Sequence, residues 1–139
     1  MSALVWAGGH QAVVTTRPRP ATGDGWVLVD VAYCGLCGTD LHICAGEHPR
    51  AQPGIVIGHE ISGRLHSDAG RLPAGTKVVV DPLLPCGICR TCRSGRPHTC
   101  ATLRLLGIDV PGGAAEQVAV PADRLIPVPD EADEKGATP

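Results

Sequence analysis

Apolar positions come in short runs broken by glycine, proline and polar residues, and no apolar stripe at helical spacing is long enough for an extended amphipathic helix. Residues 3–6 and 12–15 are apolar runs on either side of Gly8-Gly9, which predicts an opening hairpin. Arg17-Pro-Arg-Pro20 and Thr22-Gly-Asp-Gly25 predict a loop. Trp26 to Tyr33, with β-branched residues at period two, is the clearest strand. Residues 34–50 are punctuated by glycine and have room for one short helix near 38–44. Ile55-Val-Ile57 leads into Gly58-His-Glu60, and Lys77 to Asp81 reads as another strand. Gln117 to Val120 and Arg124 to Val128 are the last strand-like pieces. The pattern predicts a mainly β fold, a barrel with short helices.

Composition sharpens this picture. With 139 residues the chain has the size of one domain and can bury a real core. It has no Phe, one Tyr and two Trp, so that core is built from Val, Leu, Ile and Ala. The 18 Gly and 13 Pro follow no period, which excludes collagen and agrees with many turns. A net charge of −2 gives no general attraction to nucleic acid or to an anionic membrane. The N-terminus lacks the basic and apolar regions of a signal peptide, and no run has the length of a membrane span. Seven cysteines without such a signal point to reduced, metal-binding thiols in the cytoplasm. The segment 130–139, with four acids, one Lys and no large apolar residue, reads as a linker or domain edge after a domain at 1–129.

The chemistry is concentrated in cysteines. Cys86, Cys89, Cys92 and Cys100 follow the spacing Cys-x2-Cys-x2-Cys-x7-Cys within a loop excursion at 84–101. Four thiolates so close in sequence can wrap one zinc ion tetrahedrally and leave no open position, which makes a structural site. Two disulfides are the alternative, favoured in a secreted domain. Arg90, Arg93, Arg96 and His98 give this lobe a basic face. No aromatic residue is interleaved for base stacking, so a solvated face is the better reading than a nucleic-acid surface. Upstream, Cys37-Gly-Thr-Asp-Leu-His42 and Gly58-His-Glu-Ile-Ser-Gly63 contain further ligand types. Their separation of 22 residues between Cys37 and His59 says nothing by itself about proximity. Cys34 and Cys37 could form a redox pair, but a buried Cys34 at the strand end is the simpler reading, and Cys44 reads as a small apolar residue.

These three motifs, in this order, resemble the zinc-dependent medium-chain alcohol dehydrogenases, most nearly their threonine and polyol dehydrogenase branch. The resemblance covers residues 1–129 and implies a GroES-like β-barrel with a zinc-binding lobe. It implies that Cys37 and His59 are catalytic zinc ligands, with Glu60 as the neighbouring acid that binds the metal in some members. Thr39 and His42 match the hydroxyl and imidazole that relay the substrate proton, and Asp40 matches the carboxylate that orients the zinc-bound His. Cys86, Cys89, Cys92 and Cys100 match the structural zinc ligands. The implied activity is reversible oxidation of a secondary alcohol, a small molecule, with hydride passing to NAD(P). A Rossmann domain holds that cofactor in the family, and no Gly-x-Gly-x-x-Gly or βαβ pattern occurs here. The expectation is therefore two zinc ions, no cofactor-binding residue in this chain, and no turnover by the chain alone. The cofactor domain would lie in the same longer chain, and a homo-oligomer is possible. The competing reading is a free-standing, non-catalytic domain stabilised by zinc and used for binding or assembly.

Overall fold

The computed structural model describes residues 1–129, so the segment expected to be a linker, 130–139, lies outside the described residues. Strand β1 (Ser2–Gly8) turns back into β2 (Gln11–Thr16) as an antiparallel hairpin. Gly8 and Gly9 make that turn with φ of +105° and +55°, a region open to glycine. On its other side β1 is fixed to the body by bridges from Ala3 to Ala115 and from Val5 to Val56. β2 is exposed throughout.

The main sheet has the order β8-β3-β4-β5-β9, all antiparallel, and curls into half a barrel. Its strands are β3 (Trp26–Gly35), β4 (Glu60–Leu65), β5 (Lys77–Val80), β8 (Gln117–Pro121) and β9 (Leu125–Pro127). Alternation decides the inner face. Val29, Ile61, Val78, Val80, Val118 and Val120 point inward and, with Leu84 and Leu106, form a dry aliphatic core. Fully burying one such side chain is worth about 1.5–3 kcal/mol, so a core without Phe is still adequate. A second cluster of Trp6, Ile43, Ala51, Ile57 and Ile108 seats the short helix α1 (Gly38–Cys44) against β1.

The lobe leaves the barrel through β6 (Leu83–Leu84) and returns through β7 (Arg104–Leu105), which pair with each other. Between them lie the one-turn helix α2 (Arg90–Arg93) and a 3₁₀ turn at Pro97–Thr99, neither of which buries a side chain. Ile88, its one branched aliphatic between Cys86 and Cys100, is 74% exposed. The lobe has no apolar core of its own.

The hairpin, the strands at 26, 77, 117 and 125, and the helix at 38–44 stand where the apolar pattern puts them. Strand β4 does not: the pattern shows no strand over 60–65, yet β4 sits at the centre of the sheet. Its apolar residues are only Ile61 and Leu65, both buried, with Glu60, Ser62, Gly63 and Arg64 around them diluting the alternation.

Candidate metal centres

Sheet register brings the distant motifs together. β3 and β4 pair from Val29↔Leu65 to Gly35↔Glu60, with a bulge between Val31 and Tyr33. Cys37 lies two residues past Gly35, and His59 lies one residue before Glu60. Both therefore emerge from the same end of one ladder. The Cys37 Sγ stands 3.3 Å from His59 Nε2. Zinc bonds of about 2.3 Å to sulfur and about 2.0 Å to nitrogen at tetrahedral angles give about 3.5 Å for this separation.

Asp40 organises the site. Its carboxylate is 1% exposed and accepts the Cys37 N–H at 3.0 Å and the Gly58 N–H at 2.9 Å. The first bond completes a capping box, in which Cys37 is the N-cap of α1 and its sulfur accepts the Thr39 N–H. The second anchors the turn before His59, where Gly58 has φ +87°. A Cβ there would also meet the Cys34 sulfur. His59 Nδ1 is buried without a hydrogen-bond partner and lies 3.8 Å from Asp40 Oδ2. A shift of roughly 1 Å would close that gap to a hydrogen bond. One ring nitrogen thus faces a thiol and the other a carboxylate, the arrangement of a metal-bound histidine oriented from behind. Asp40→Ala leaves two buried amides without acceptors, at about 1–3 kcal/mol each. Thermal unfolding of that variant is expected to show a loss of about 3 kcal/mol, with Asp40→Asn, which keeps one acceptor, losing about half.

Cys34 takes a different part. Burial pushes its thiol up to about 12, with help from the negative charges of Asp40 and Glu60. It stays protonated at neutral pH and its S–H faces the Gly35 carbonyl at 3.7 Å. A half-buried thiol held protonated makes a poor redox partner.

In the lobe the sulfurs of Cys86, Cys89, Cys92 and Cys100 lie within 4.8 Å of one another. Cys86 to Cys92 is 4.0 Å, Cys89 to Cys92 is 3.4 Å and Cys89 to Cys100 is 3.9 Å. The edge of a tetrahedral zinc–thiolate site is about 3.8 Å. The bare thiols resist ionising together: the Thr91 hydroxyl and the Cys92 amide pull Cys89 down to about 5, while desolvation and the neighbouring Cys89 push Cys92 up to about 12. A divalent cation resolves that conflict. The lobe's lack of an apolar core and this sulfur geometry both fit zinc.

The profile of the alcohol dehydrogenase GroES-like domain matches residues 23–130. The chain belongs to this family. Among similar proteins, this GroES-like domain is 35% identical over 135 residues to the starvation-sensing protein RspB of Escherichia coli K12, covering 94% of the chain and 39% of RspB. It is 38% identical over 138 residues to an L-threonine 3-dehydrogenase of Xanthomonas axonopodis pv. citri, covering 94% of the chain and 41% of that enzyme. The Escherichia coli galactitol-1-phosphate dehydrogenase superposes with a TM-score of 0.91 at 28% identity, over 99% of this chain and 40% of that one. An E. coli short chain alcohol dehydrogenase (rspB), solved with NADH, gives 0.90 at 32% identity, over 99% of this chain and 41% of that one. The GroES-like domain thus spans about two fifths of the length of these relatives.

Within the domain the structure gathers Cys37, Asp40 and His59 into one group. Glu60 is outside it, its side chain lying across Gly35 on the neighbouring strand. Thr39 is half-buried in the first turn of α1, held to Cys37 through its backbone. His42 is on the exposed side of α1, its Nδ1 2.8 Å from Glu47 Oε2. Glu47 was not singled out in the sequence, and neither were Thr91 and Thr102, whose hydroxyls touch lobe sulfurs. Glu47 follows His42 by five residues, a helix-plus-turn spacing too common to flag. The two threonines, each two residues after a ligand cysteine, were open to notice.

Proposed function

We propose that this GroES-like domain is the zinc-binding catalytic domain of an alcohol or polyol dehydrogenase. It would oxidise a secondary alcohol reversibly, with NAD(P) held by another part of a longer protein. The observation that carries this reading is the approach of Cys37 Sγ to His59 Nε2 at 3.3 Å, with Asp40 behind the ring. Cys37 and His59 would hold a catalytic zinc, with Glu60 as a ligand that swings in from Gly35 or is replaced by substrate. Zinc supplies a Lewis acid there, able to lower the pKa of an oxygen from about 16 to about 7. The domain's own residues handle the proton. Thr39, beside Cys37, accepts it from the alcohol and passes it to His42. His42, at the surface, delivers it to water, with Glu47 holding the ring. Asp40 keeps sulfur and imidazole at their spacing. Cys86, Cys89, Cys92 and Cys100 would hold a second, structural zinc.

The threonine dehydrogenase relatives support a small hydroxylated substrate. Seven free thiols support a reducing compartment, the cytoplasm, and among the described residues no helix is long and apolar enough to cross a membrane.

Metal analysis of the purified chain tests the reading. Two zinc ions per chain are expected, one of them lost in Cys37→Ala and the other retained. A single zinc that survives Cys37→Ala would leave the non-catalytic, zinc-stabilised module as the correct description.

A further inference from the structure

The four lobe sulfurs differ in what surrounds them. Cys100 is buried and accepts the Cys86 N–H at 3.4 Å and the Thr102 hydroxyl at 3.5 Å. Cys89 is half-buried and stands 3.1 Å from the Thr91 hydroxyl, which also lies 3.2 Å from the Thr99 carbonyl. A metal-bound sulfur carries no proton, so in these contacts the hydroxyls donate, Thr91 turning its single proton from the Thr99 carbonyl to the Cys89 sulfur. Cys92 is half-buried, with the Cys89 sulfur 3.4 Å away. Cys86 is exposed, and among the described residues no amide or hydroxyl donates to it.

We infer that Cys86 is the reactive sulfur of the lobe, the one that an electrophile or a hydroperoxide attacks first, with Cys92 as its resolving partner. The inference rests on the lobe holding zinc, as proposed above. A hydrogen bond drains negative charge from a thiolate and lowers its nucleophilicity, and burial blocks the approach. Both effects protect Cys100 and Cys89, and neither protects Cys86. Cys92 is the sulfur 4.0 Å from Cys86, close enough to bond after a small movement. In the first step the Cys86 sulfur attacks one peroxide oxygen. The S–O bond forms, the O–O bond breaks, and the other oxygen leaves as hydroxide or alkoxide. In the second, the Cys92 sulfur attacks Cys86, the S–S bond forms and the S–O bond breaks to release hydroxide. Two thiolates lose two electrons, the peroxide gains them, and the two hydroxides (or hydroxide and alkoxide) released take two protons from the buffer. No carboxylate stands in the sequence between Asp81 and Asp109, while Arg90, Arg93, Arg96 and Arg104 do, so the leaving anion meets no repulsion from this segment. The zinc is left with Cys89 and Cys100 alone and dissociates.

The test uses the zinc-loaded chain. Limiting iodoacetamide followed by peptide mass mapping reads each cysteine separately. Cys86 is expected to be labelled about tenfold ahead of Cys89 and Cys100, the rate equivalent of one charge-assisted hydrogen bond. Thr91→Val and Thr102→Val should speed labelling of Cys89 and Cys100 respectively and leave Cys86 unchanged. Hydrogen peroxide should yield a Cys86–Cys92 disulfide and release one zinc per disulfide to a chromogenic indicator. A zinc-loaded lobe in which Cys89 or Cys100 reacts as fast as Cys86, or in which peroxide joins Cys89 to Cys92, overturns this inference alone. A lobe that purifies without zinc under reducing conditions overturns the zinc reading with it.

Discussion

Cys100→Ala is expected to remove one zinc per chain and to open the lobe from Cys86 to Thr99 to proteases, while the barrel stays folded. Structural zinc is worth about 10–16 kcal/mol in small peptides that have no other source of order. The lobe is close to that condition, since α2 and the 3₁₀ turn bury nothing. Cys100 is its one buried cysteine, and its removal also takes the acceptor from the N–H of Cys86. Only part of the loss reaches the barrel. The lobe is attached through the two-residue strands β6 and β7, and Leu84 and Leu106 at its base belong to the main core. The melting temperature should therefore fall by several degrees rather than the chain unfolding. Limited proteolysis and zinc content read the two effects separately. Wild-type zinc content in Cys100→Ala would rule out the lobe as a closed four-cysteine site.

The gathering of the lobe's four cysteines was legible in the sequence because they are local. Spacing alone confines Cys86, Cys89, Cys92 and Cys100 to a volume that a cation can bridge. The open site is non-local, and no periodicity shows that Cys37 meets His59. Their meeting depends on the β3–β4 register, and β4 is the strand whose pattern was unreadable. Gly63 interrupts its apolar positions because a side chain there would meet the Asp30 carbonyl and Val29 on the paired strand, beside the bulge. Only the resemblance to a known family joined the two motifs. That resemblance carried residue identities and not their present positions, so it did not foresee Glu60 across Gly35 or His42 paired to Glu47. The β1–β2 hairpin and β3 were plain for the opposite reason: their turns and alternation are written in adjacent residues.

If the domain is joined to a cofactor domain as proposed, Cys37→Ala should abolish NAD(P)-dependent alcohol oxidation by the joined protein, and Thr39→Ala should slow it by about 10²–10⁴, the usual contribution of a positioned acid–base group. The two losses differ in kind. Cys37 is the N-cap of α1 as well as the sulfur facing His59, so its removal takes away a proposed zinc ligand and one of the caps of the helix that carries Thr39 and His42. Its variant should purify short of one zinc and show no burst with any alcohol. Thr39→Ala keeps sulfur, imidazole and carboxylate in place, because the contact from residue 39 to Cys37 is through the backbone N–H. That variant should keep both zinc ions and bind cofactor normally, with the loss confined to kcat. His42→Ala should fall between wild type and Thr39→Ala, since the ring is 67% exposed on its side chain and solvent can replace it. Added imidazole buffer should restore part of its rate and none of the rate of Thr39→Ala. If Thr39→Ala instead lost zinc, or if imidazole rescued both variants alike, the proton path from Thr39 to His42 would be wrong, although the metal site beneath it could still stand.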